Sequence, residues 1–247
     1  MPHFAPQLDT PSGSFVDLIQ SRARQLPNKP SLQFLVDGET QIVGWTYAEL
    51  DAICRAVAAK LLEVVETGDR ALLLFQPGPE FIPAFLGCLY AGVVAVPCYL
   101  PRPRRPLDRL DAISADADAR LALTSADLLD DLRGRFAEHP RLVHLPWIAT
   151  DEAARETTNW QPAEIPSEAL SFLQYTSGST AVPKGVMVSH GNLLANSRAI
   201  YDSFGHDPDC SLLVWSPPFH DMGLIGGIVQ PLYGGLTGWL MSPVHVV

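Results

Sequence analysis

The stretch that decides the fold runs from Leu170-Ser171-Phe172-Leu173-Gln174-Tyr175 into Thr176-Ser177-Gly178-Ser179-Thr180-Ala181-Val182-Pro183-Lys184-Gly185. The first part is apolar and strand-like, and the second collects hydroxyls, glycines and one lysine in a single loop. Glycines let a backbone approach an anion closely, and hydroxyl, backbone N–H and ammonium groups all donate to phosphate oxygens. The loop therefore predicts a site for the phosphates of a nucleoside triphosphate. The alternative is a Ser/Gly-rich surface turn, which is the commoner fate of such composition.

The loop differs from the Walker sequence G-x-x-x-x-G-K-[ST] of many ATPases and GTPases. Here Lys184 precedes Gly185 and Val186, so no Ser or Thr follows a Gly-Lys pair. An ordinary P-loop ATPase or GTPase is therefore disfavoured.

Two other stretches carry motif-like patterns. The first, Trp215-Ser216-Pro217-Pro218-Phe219-His220-Asp221-Met222-Gly223-Leu224-Ile225-Gly226-Gly227, follows a predicted strand over 211–215. The second, Gly87-Cys88-Leu89-Tyr90-Ala91-Gly92-Val93-Val94-Ala95-Val96-Pro97, is followed by Tyr99-Leu100-Pro101-Arg102-Pro103. We expect the loop and the first of these two at strand ends, where α/β sheets place their ligands.

Together the three stretches resemble the adenylate-forming superfamily, which includes acyl-CoA synthetases, luciferases and nonribosomal adenylation domains. Residues 175–185 resemble its phosphate-binding core motif, and residues 215–227 resemble its next motif in the version typical of fatty acyl-AMP ligases. Residues 87–103 are similar to the pattern of the same subfamily, because ordinary acyl-CoA ligases usually lack the Pro/Arg run. Chemistry alone favours a solvated, proline-stiffened loop for the arginines of that run, which mark the subfamily and are not a proposed site: Arg102, Arg104 and Arg105.

The resemblance implies an ATP-dependent reaction. A fatty carboxylate would attack the α-phosphorus of ATP, pyrophosphate would leave, and an acyl adenylate would form. The acyl group would then pass to the phosphopantetheine thiol of an acyl carrier protein or of a polyketide or nonribosomal synthase. The implied cofactors are ATP and Mg²⁺. A fatty acyl-CoA ligase, which uses coenzyme A as acceptor, is the alternative within the superfamily.

The resemblance also assigns roles to residues of this chain. Lys184 would add a positive charge at the transferring phosphates, Thr180 would assist magnesium, and His220 would lie beside the acyl adenylate. Lys184 and His220 are the implied catalytic residues, and the implied nucleotide-binding set is Thr176, Ser177, Gly178, Ser179, Thr180, Lys184, Gly185, Asp221 and Gly223. One departure is Ala181, where the family usually has glycine. A left-handed backbone there would cost alanine about 1–2 kcal/mol.

Two other classes of protein stay open as alternatives. A serine hydrolase would find its triad elements in Ser179, His190, His220 and Asp221, but the chain has no G-x-S-x-G elbow. A non-catalytic binding module is the second, because the family's adenine pocket, ribose-binding and magnesium-binding acids and lid lysine come from later motifs. We accordingly expect residues 1–247 to be an incomplete amino-terminal AMP-binding domain of an enzyme, inactive by itself.

Composition and the amino-terminal sequence indicate which class of partner is disfavoured and which compartment to expect. Asp and Glu outnumber Lys and Arg by 27 to 17, giving a formal charge of −10 that disfavours nucleic acid as a partner. Cys54, Cys88, Cys98 and Cys210 lack zinc-type spacing, so we expect reduced and mostly buried thiols. The amino terminus has no secretory pattern, which predicts a cytoplasmic protein.

The uncharged stretch over 222–244 is long enough to span a bilayer. Pro231, Gln230 and six glycines interrupt it, and it ends in the strand-like run 237–241. We therefore expect no integral membrane segment, but a buried core that lines an acyl pocket.

Hydrophobic periodicity predicts an α/β fold of layered, largely parallel sheets with flanking helices, the partial large domain of an adenylate-forming enzyme. Helices are predicted from Ser14 to near Pro27, from a Thr46/Glu49 capping box toward Gly68, and over 79–91, 107–119, 126–136 and 189–200. Strands are predicted over 70–75, 93–97, 120–124, 141–145, 170–175, 211–215 and 237–241. The polar segment 150–168 predicts a boundary between a first subdomain, 46–150, and a phosphate-loop subdomain in another layer, 168–247.

Overall fold

Two β-sheets form the frame of the molecule in the computed structural model, which describes residues 13–101, 107–137, 139–153, 160–175 and 183–245. The smaller sheet has four strands, in the order β2 (Ile42–Thr46), β1 (Pro30–Leu35), β10 (Thr237–Met241), β9 (Ser211–Val214). The larger sheet has six, in the order β6 (Trp147–Ala149), β5 (Leu121–Thr124), β3 (Arg70–Phe75), β4 (Val94–Tyr99), β7 (Leu170–Tyr175), β8 (Gly185–Ser189).

Most strand pairs are parallel. Among the described pairs, only β1–β2 and β7–β8 are antiparallel. The flanking helices are α1 (Phe15–Gln25), α2 (Tyr47–Leu62), α3 (Phe81–Ala91), α4 (Asp108–Asp116), α5 (Ala126–Phe136), α6 (Thr150–Ala153), α7 (His190–Phe204) and α8 (Gln230–Gly234). The predicted α/β class, with largely parallel sheets and flanking helices, is confirmed.

The core lies on both faces of the larger sheet. Successive side chains of a strand point to opposite faces. Leu73 of β3 accordingly packs in a cluster with α1, α2 and α3 that also takes in Leu32 and Leu240 of the smaller sheet. Its neighbour Leu72 packs in a second cluster with α4 and α5. The helices between the sheets thus join the two sheets through one continuous apolar core.

Three helices begin where the sequence carries a capping signal. In α1, α2 and α7 the N-cap hydroxyl accepts the backbone N–H three residues on, whose side chain in turn accepts the N-cap N–H. The N-cap residues are Ser14, Thr46 and Ser189. These reciprocal bonds satisfy donors that the first helical turn leaves unpaired, which is why local sequence alone locates these starts.

The predicted end of α2 is wrong. The helix ends at Leu62, and Gly68 lies beyond it in the turn before β3, with a φ of +91° and its N–H donating to the Gly92 carbonyl at 2.8 Å. Beyond the end of the helix, Val64 is exposed and Val65 is buried. Gly68 is needed for the left-handed backbone of that turn and not to cap a helix.

The strand predicted over 141–145 is also wrong. That segment is a turn, and the edge strand β6 starts only after Pro146, whose carbonyl accepts the Ala122 N–H at 3.0 Å. Proline cannot donate to a ladder, so pairing is pushed to the residues that follow it. The segment 150–168, predicted without regular structure, opens with the short helix α6.

The strands on either side of that segment share one sheet. β4 precedes the segment, β7 follows it, and the two pair in parallel at Ala95 and Phe172. The prediction that the phosphate loop lies in a separate layer is therefore wrong. A boundary between subdomains within 150–168 stays a prediction, because a shared sheet does not decide how the chain divides into folding units.

The hairpin formed by β1 and β2 was not predicted. Asp37 turns the chain between the two strands by accepting three backbone N–H groups, those of Glu39, Thr40 and Gln41, at its Oδ1. The pair Asp37-Gly38 between two apolar runs is a hairpin signal that the sequence did carry.

The uncharged stretch 222–244 divides into short pieces, as predicted. It forms a π-helix over Met222–Val229, then α8, then β10, and it contributes buried side chains to the core. Within the parts of the chain that the structure describes, no helix combines the length and apolar character needed to cross a bilayer.

All four cysteines are free thiols in the structure, and Cys54, Cys88 and Cys98 are buried. Burial raises the pKa of the Cys98 thiol to about 12, which keeps it protonated and unreactive. The expectation of mostly buried thiols is confirmed.

Candidate active site

The predicted phosphate loop connects two antiparallel strands. Tyr175, the last residue of β7, pairs with Gly185, the first residue of β8. In Walker and dinucleotide-binding loops the strand is followed by a helix whose N-terminus faces the phosphates. Here α7 begins only after β8, at His190. A phosphate held in this loop would therefore depend on loop N–H groups, hydroxyls and Lys184, without a helix N-terminus at the end of the loop.

Most of the loop residues predicted to bind phosphate lie outside the described residues. These are Thr176, Ser177, Gly178, Ser179 and Thr180, together with the departure Ala181 and the arginines Arg102, Arg104 and Arg105. The roles given to them stay predictions.

The exit of the loop is described, and it leaves Lys184 accessible. Pro183 is buried, the Lys184 side chain is exposed, and Gly185 is half-buried. A Cβ at Gly185 would lie 2.9 Å from Cζ of Tyr175, so the phenol ring packs directly on the glycine. Only glycine permits this contact, which joins the entry and the exit of the loop.

His220 and Asp221 form a pair on the surface beside β9. Nδ1 of His220 lies 2.6 Å from Oδ1 of Asp221, and about half of the histidine side chain is exposed. A nitrogen and a carboxylate oxygen approach so closely only when a hydrogen lies between them, so Nδ1 carries the proton in this arrangement. The same carboxylate oxygen accepts the Met222 N–H at 2.7 Å. The 3.4 Å contact between that N–H and the protonated Nδ1 is therefore not a hydrogen bond. Asp221 fixes the imidazole and leaves Nε2 free of these contacts.

Gly223 has a steric role in the same turn. A Cβ added there would lie 2.1 Å from the carbonyl oxygen of Pro217 and 2.5 Å from that of Ser216. The turn also closes by a 2.8 Å bond from the Leu224 N–H to the His220 carbonyl. Gly223 thus lets the π-helix start directly against the turn that carries His220. π-helical turns are rare and concentrate at functional sites.

The three sequence motifs meet at the carboxyl ends of strands β4 and β7 of the larger sheet. Parallel strands β4 and β7 end side by side, which brings Tyr99 and Gln174 to the same edge. Nε2 of Gln174 donates to the Phe219 carbonyl at 3.3 Å, and the rings of Tyr99 and Phe219 pack edge to face with centroids 4.6 Å apart. The turn with His220 is thereby attached to the strand that leads into the phosphate loop.

Sequence reasoning gave no role to these three contact residues. Phe219 is buried, Tyr99 is exposed, and Gln174 is the polar residue in an otherwise apolar strand end. That interruption of the apolar pattern was the available signal for Gln174. Nothing local predicted that Tyr99 would reach Phe219, because the two are 120 residues apart in the printed sequence.

His190 is not part of this site. It is fully buried at the start of α7, and its Nδ1 accepts the Phe15 N–H at 3.3 Å. Burial lowers the pKa of His190 to about 4, so the ring is neutral. Its low pKa makes it a weak proton acceptor, and its buried ring is already engaged by Phe15, so His190 is a poor candidate for the base of a Ser/His/Asp triad and the serine hydrolase alternative loses support.

The described residues also limit where a metal and an acyl chain could bind. They contain no group of three or more His, Cys, Asp or Glu side chains placed to hold a metal ion. A groove of about 330 Å³ lies beside β6, the edge strand farthest from β8 in the larger sheet. It is lined by Arg133, Phe136, Val143, Leu145, Pro146 and Trp147. None of these residues comes from 222–244, so the predicted acyl pocket stays a prediction.

Comparison with known proteins gives a consistent set of relatives. The family model of AMP-binding enzymes matches residues 19–246. The medium-chain-fatty-acid–[acyl-carrier-protein] ligase JamA of Moorena producens is 40% identical over an alignment of 236 residues, which covers 94% of this chain and 40% of JamA. A protein of Mycobacterium tuberculosis with the provisional name fatty-acid–CoA ligase FadD21 is 34% identical over 247 residues, covering 94% of this chain and 42% of FadD21.

Solved structures agree in fold. The fatty acyl-adenylate ligase of Legionella pneumophila, in complex with acyl adenylate and pyrophosphate, superposes with a TM-score of 0.84 and 44% identity. The match covers 93% of this chain and 40% of the Legionella chain. The chain thus spans about two fifths of the length of JamA, of FadD21 and of the Legionella ligase.

Proposed function

This chain belongs to the AMP-binding enzymes, and from that membership we propose that the full-length protein activates a fatty acid as its acyl adenylate. A carboxylate oxygen of the fatty acid attacks the α-phosphorus of ATP, the bond to the β-phosphate oxygen breaks, and pyrophosphate leaves. The acyl group then passes to the phosphopantetheine thiol of an acyl carrier protein or of a polyketide or nonribosomal synthase, and AMP leaves.

One observation carries the proposal. Through Gln174, Phe219 and Tyr99, the turn with His220 is joined to the strand that enters the phosphate loop. A phosphate site and an acyl-adenylate site have to be adjacent in such a reaction, because the α-phosphorus is the atom that both substrates share. The names of JamA and of the Legionella ligase support the same reaction class.

The proposed roles follow the chemistry of each group. Developing negative charge on the phosphates is the main catalytic demand, and an exposed ammonium beside a loop of N–H and hydroxyl donors meets it. Lys184 supplies that ammonium. Thr176, Ser177, Gly178, Ser179, Thr180 and Gly185 form the rest of the phosphate site, and Asp221 and Gly223 hold the turn of His220 beside the adenylate.

The proposed role of His220 is positional. Asp221 holds its ring through the 2.6 Å contact at Nδ1, which leaves Nε2 for a substrate oxygen. Gly223 permits the tight turn that keeps the ring in place.

Magnesium is proposed to enter with ATP. Mg²⁺ usually keeps several waters and binds through one or two protein oxygens plus substrate phosphates, so it needs no cage of protein carboxylates. The hydroxyl of Thr180 is the proposed protein ligand, and the ion would neutralise phosphate charge. The proposed compartment is the cytoplasm, because the reaction consumes ATP.

The test is to incubate the full-length protein with fatty acids, ATP and Mg²⁺, supplying coenzyme A and a phosphopantetheinylated carrier protein in separate reactions. We expect acyl-AMP to accumulate with coenzyme A and to be discharged only by the carrier. Rapid formation of acyl-CoA would favour the fatty acyl-CoA ligase instead, the alternative that the name of FadD21 supports. Absence of any adenylate would favour the non-catalytic module.

A further inference from the structure

Helix α4 is bonded to the strand end at which the phosphate loop begins. The hydroxyl of Tyr175 donates to Oδ2 of Asp116, the last residue of α4, at 2.6 Å. Around this bond, Leu110 and Ile113 of α4 share an apolar cluster with Leu173 and Tyr175 of β7. Helix and strand end are therefore held together by both packing and a polar bond.

The bond is of the stronger kind. A hydroxyl that donates to a carboxylate at 2.5–2.7 Å makes a short, charge-assisted bond. Burial of the ring and the bond to Asp116 both raise the pKa of Tyr175 above its ordinary range, so the hydroxyl stays a donor. Tyr175 is only 6% exposed, whereas Asp116 is exposed, so the bond joins a buried ring to a carboxylate at the surface.

The ring of Tyr175 also packs on Gly185, the first residue of the strand at the exit of the loop. Atoms Cζ, Oη and Cε2 of the ring would lie 2.9, 3.1 and 3.2 Å from a Cβ at Gly185. The ring therefore rests on the backbone of the residue that directly follows Lys184. The hydroxyl end of the ring is thus bonded to Asp116 and packed against Gly185.

We propose that Asp116 is a positioning residue for the nucleotide site: by bonding Tyr175 it fixes the strand ends that bracket residues 176–184 and so positions Lys184 for the phosphates of ATP. This assignment rests on the function proposed above. It also gives α4, which follows the Pro/Arg run of residues 101–106 in the sequence, a direct bond to the strand end that leads into the phosphate loop.

The chain offers a matched control for this bond. The hydroxyl of Tyr90 donates to Oδ1 of Asp51 at 2.8 Å, and Tyr90 is fully buried. This second tyrosine–aspartate bond joins α3 to α2, and among the described residues neither partner bonds to Lys184, Gly185 or His220. Tyr90→Phe therefore removes the same chemical group without acting on the nucleotide site.

The experiment measures ATP binding by calorimetry in the full-length protein, together with the KM values of ATP and fatty acid for pyrophosphate release. We expect Tyr175→Phe and Asp116→Ala each to weaken ATP binding by about fivefold to tenfold, less than the loss of a direct hydrogen bond to a charged group, because Asp116 acts on ATP only through Tyr175. The KM of the fatty acid should change little. Asp116→Asn, whose amide oxygen still accepts a hydrogen bond, should stay near the unsubstituted value.

The double variant Tyr175→Phe/Asp116→Ala should bind ATP no more weakly than the single variants, because both changes remove one bond. Tyr90→Phe should lower the unfolding midpoint and leave ATP binding unchanged.

Several results would overturn the positioning role. Equal ATP affinity in Tyr175→Phe and Tyr90→Phe would do so, as would additive losses in the double variant or a loss in Asp116→Asn as large as in Asp116→Ala. If Asp116→Ala does not fold, Tyr175→Phe and Asp116→Asn still decide. Failure of the proposed function looks different, because the unsubstituted protein would then neither bind ATP nor release pyrophosphate, and the positioning role would fall with it.

Discussion

Lys184 is one of three lysines in the chain, and the other two are engaged by neighbouring groups. Lys29 is engaged by the carbonyls of Pro208 and Gly235, with a pKa lowered by burial. Lys60 pairs with Glu63 at 2.9 Å on the surface of α2. Lys184 is exposed at the exit of the predicted phosphate loop, where a positive charge can approach an anion.

Lys184→Ala should lower kcat/KM for ATP about a hundredfold in the full-length protein, because a preorganised charge at the transferring phosphates is lost. Pyrophosphate release under limiting ATP is the measurement. Lys60→Ala removes a partly exposed lysine from a surface ion pair, which is worth less than about 1 kcal/mol, and should leave this value unchanged. A Lys184→Ala variant as active as Lys60→Ala would remove Lys184 from the phosphate site.

Gly223 and Gly226 lie in the same π-helix and should respond differently to the same change. A Cβ at Gly223 would meet the Pro217 carbonyl at 2.1 Å, whereas the nearest atom to a Cβ at Gly226 is Cγ2 of Val214 at 3.9 Å. Gly223→Ala should therefore destabilise the protein by about 1–3 kcal/mol or prevent folding, as overpacking does. Thermal unfolding of Gly223→Ala and Gly226→Ala compares them, and equal midpoints would contradict the steric role.

At the scale of elements, His190 connects two helices that begin far apart in the sequence. It is the first residue of α7, and it accepts the N–H of Phe15, the first residue of α1. Burial lowers its pKa in the folded state to about 4, against 6.5 when exposed. A positive ring at the N-terminus of α7 would in addition oppose the helix dipole. The junction of α1 and α7 is therefore stable only while His190 is neutral.

This predicts a loss of stability in acid. Between pH 6.5 and pH 4 the unfolded chain binds a proton at His190 that the folded chain does not, so the free energy of unfolding falls as the pH is lowered. The contribution lost between pH 7.5 and pH 5 is about 2 kcal/mol. His190→Asn keeps an acceptor for Phe15 and should remove this part of the pH dependence in urea unfolding. His144→Asn, an exposed site, is the control and should leave the dependence unchanged.

At the scale of the whole molecule, Gln174 joins the larger sheet to the turn that follows β9 of the smaller sheet. Its Nε2 donates to the Phe219 carbonyl, while its Oε1 is buried and has no hydrogen-bond partner among the residues that the structure describes. The N–H donor of the Gln174 amide is therefore the group that makes the bond at this position. Gln33 makes a similar bond to the Trp45 carbonyl at 3.0 Å, but that bond stays within the smaller sheet.

Gln174→Glu should uncouple the turn of His220 from the phosphate loop. Glutamate has the same shape but no N–H donor, and its carboxylate would face the Phe219 carbonyl. Adenylate formation should fall about tenfold, the equivalent of ~1.4 kcal/mol at the transition state. Gln33→Glu changes the same group away from the site and should leave the rate unaltered. Equal rates in the two variants would show that the bond between the sheets does not serve the reaction.

The sequence by itself determined the α/β class, the three capped helix starts and the positions of most strands. Capping boxes, buried apolar runs and turn residues act within a few residues of each other, so local patterns are enough to locate them. The motif around Lys184 and the turn of His220 were likewise visible as patterns. Where local signals were ambiguous, as between Arg141 and Pro146, the predicted element was wrong.

Only the tertiary structure decided which of these elements meet. It inserted β10 between β1 and β9, pairing Leu32 with Gly238, and it buried His190 against α1. It also brought Asp116 to Tyr175 and Gln174 to Phe219. Each of these contacts joins residues 45 or more positions apart, and its formation depends on the packing of the whole core. No local preference of the backbone encodes contacts between such distant residues, which is why these pairings could not be predicted from the sequence.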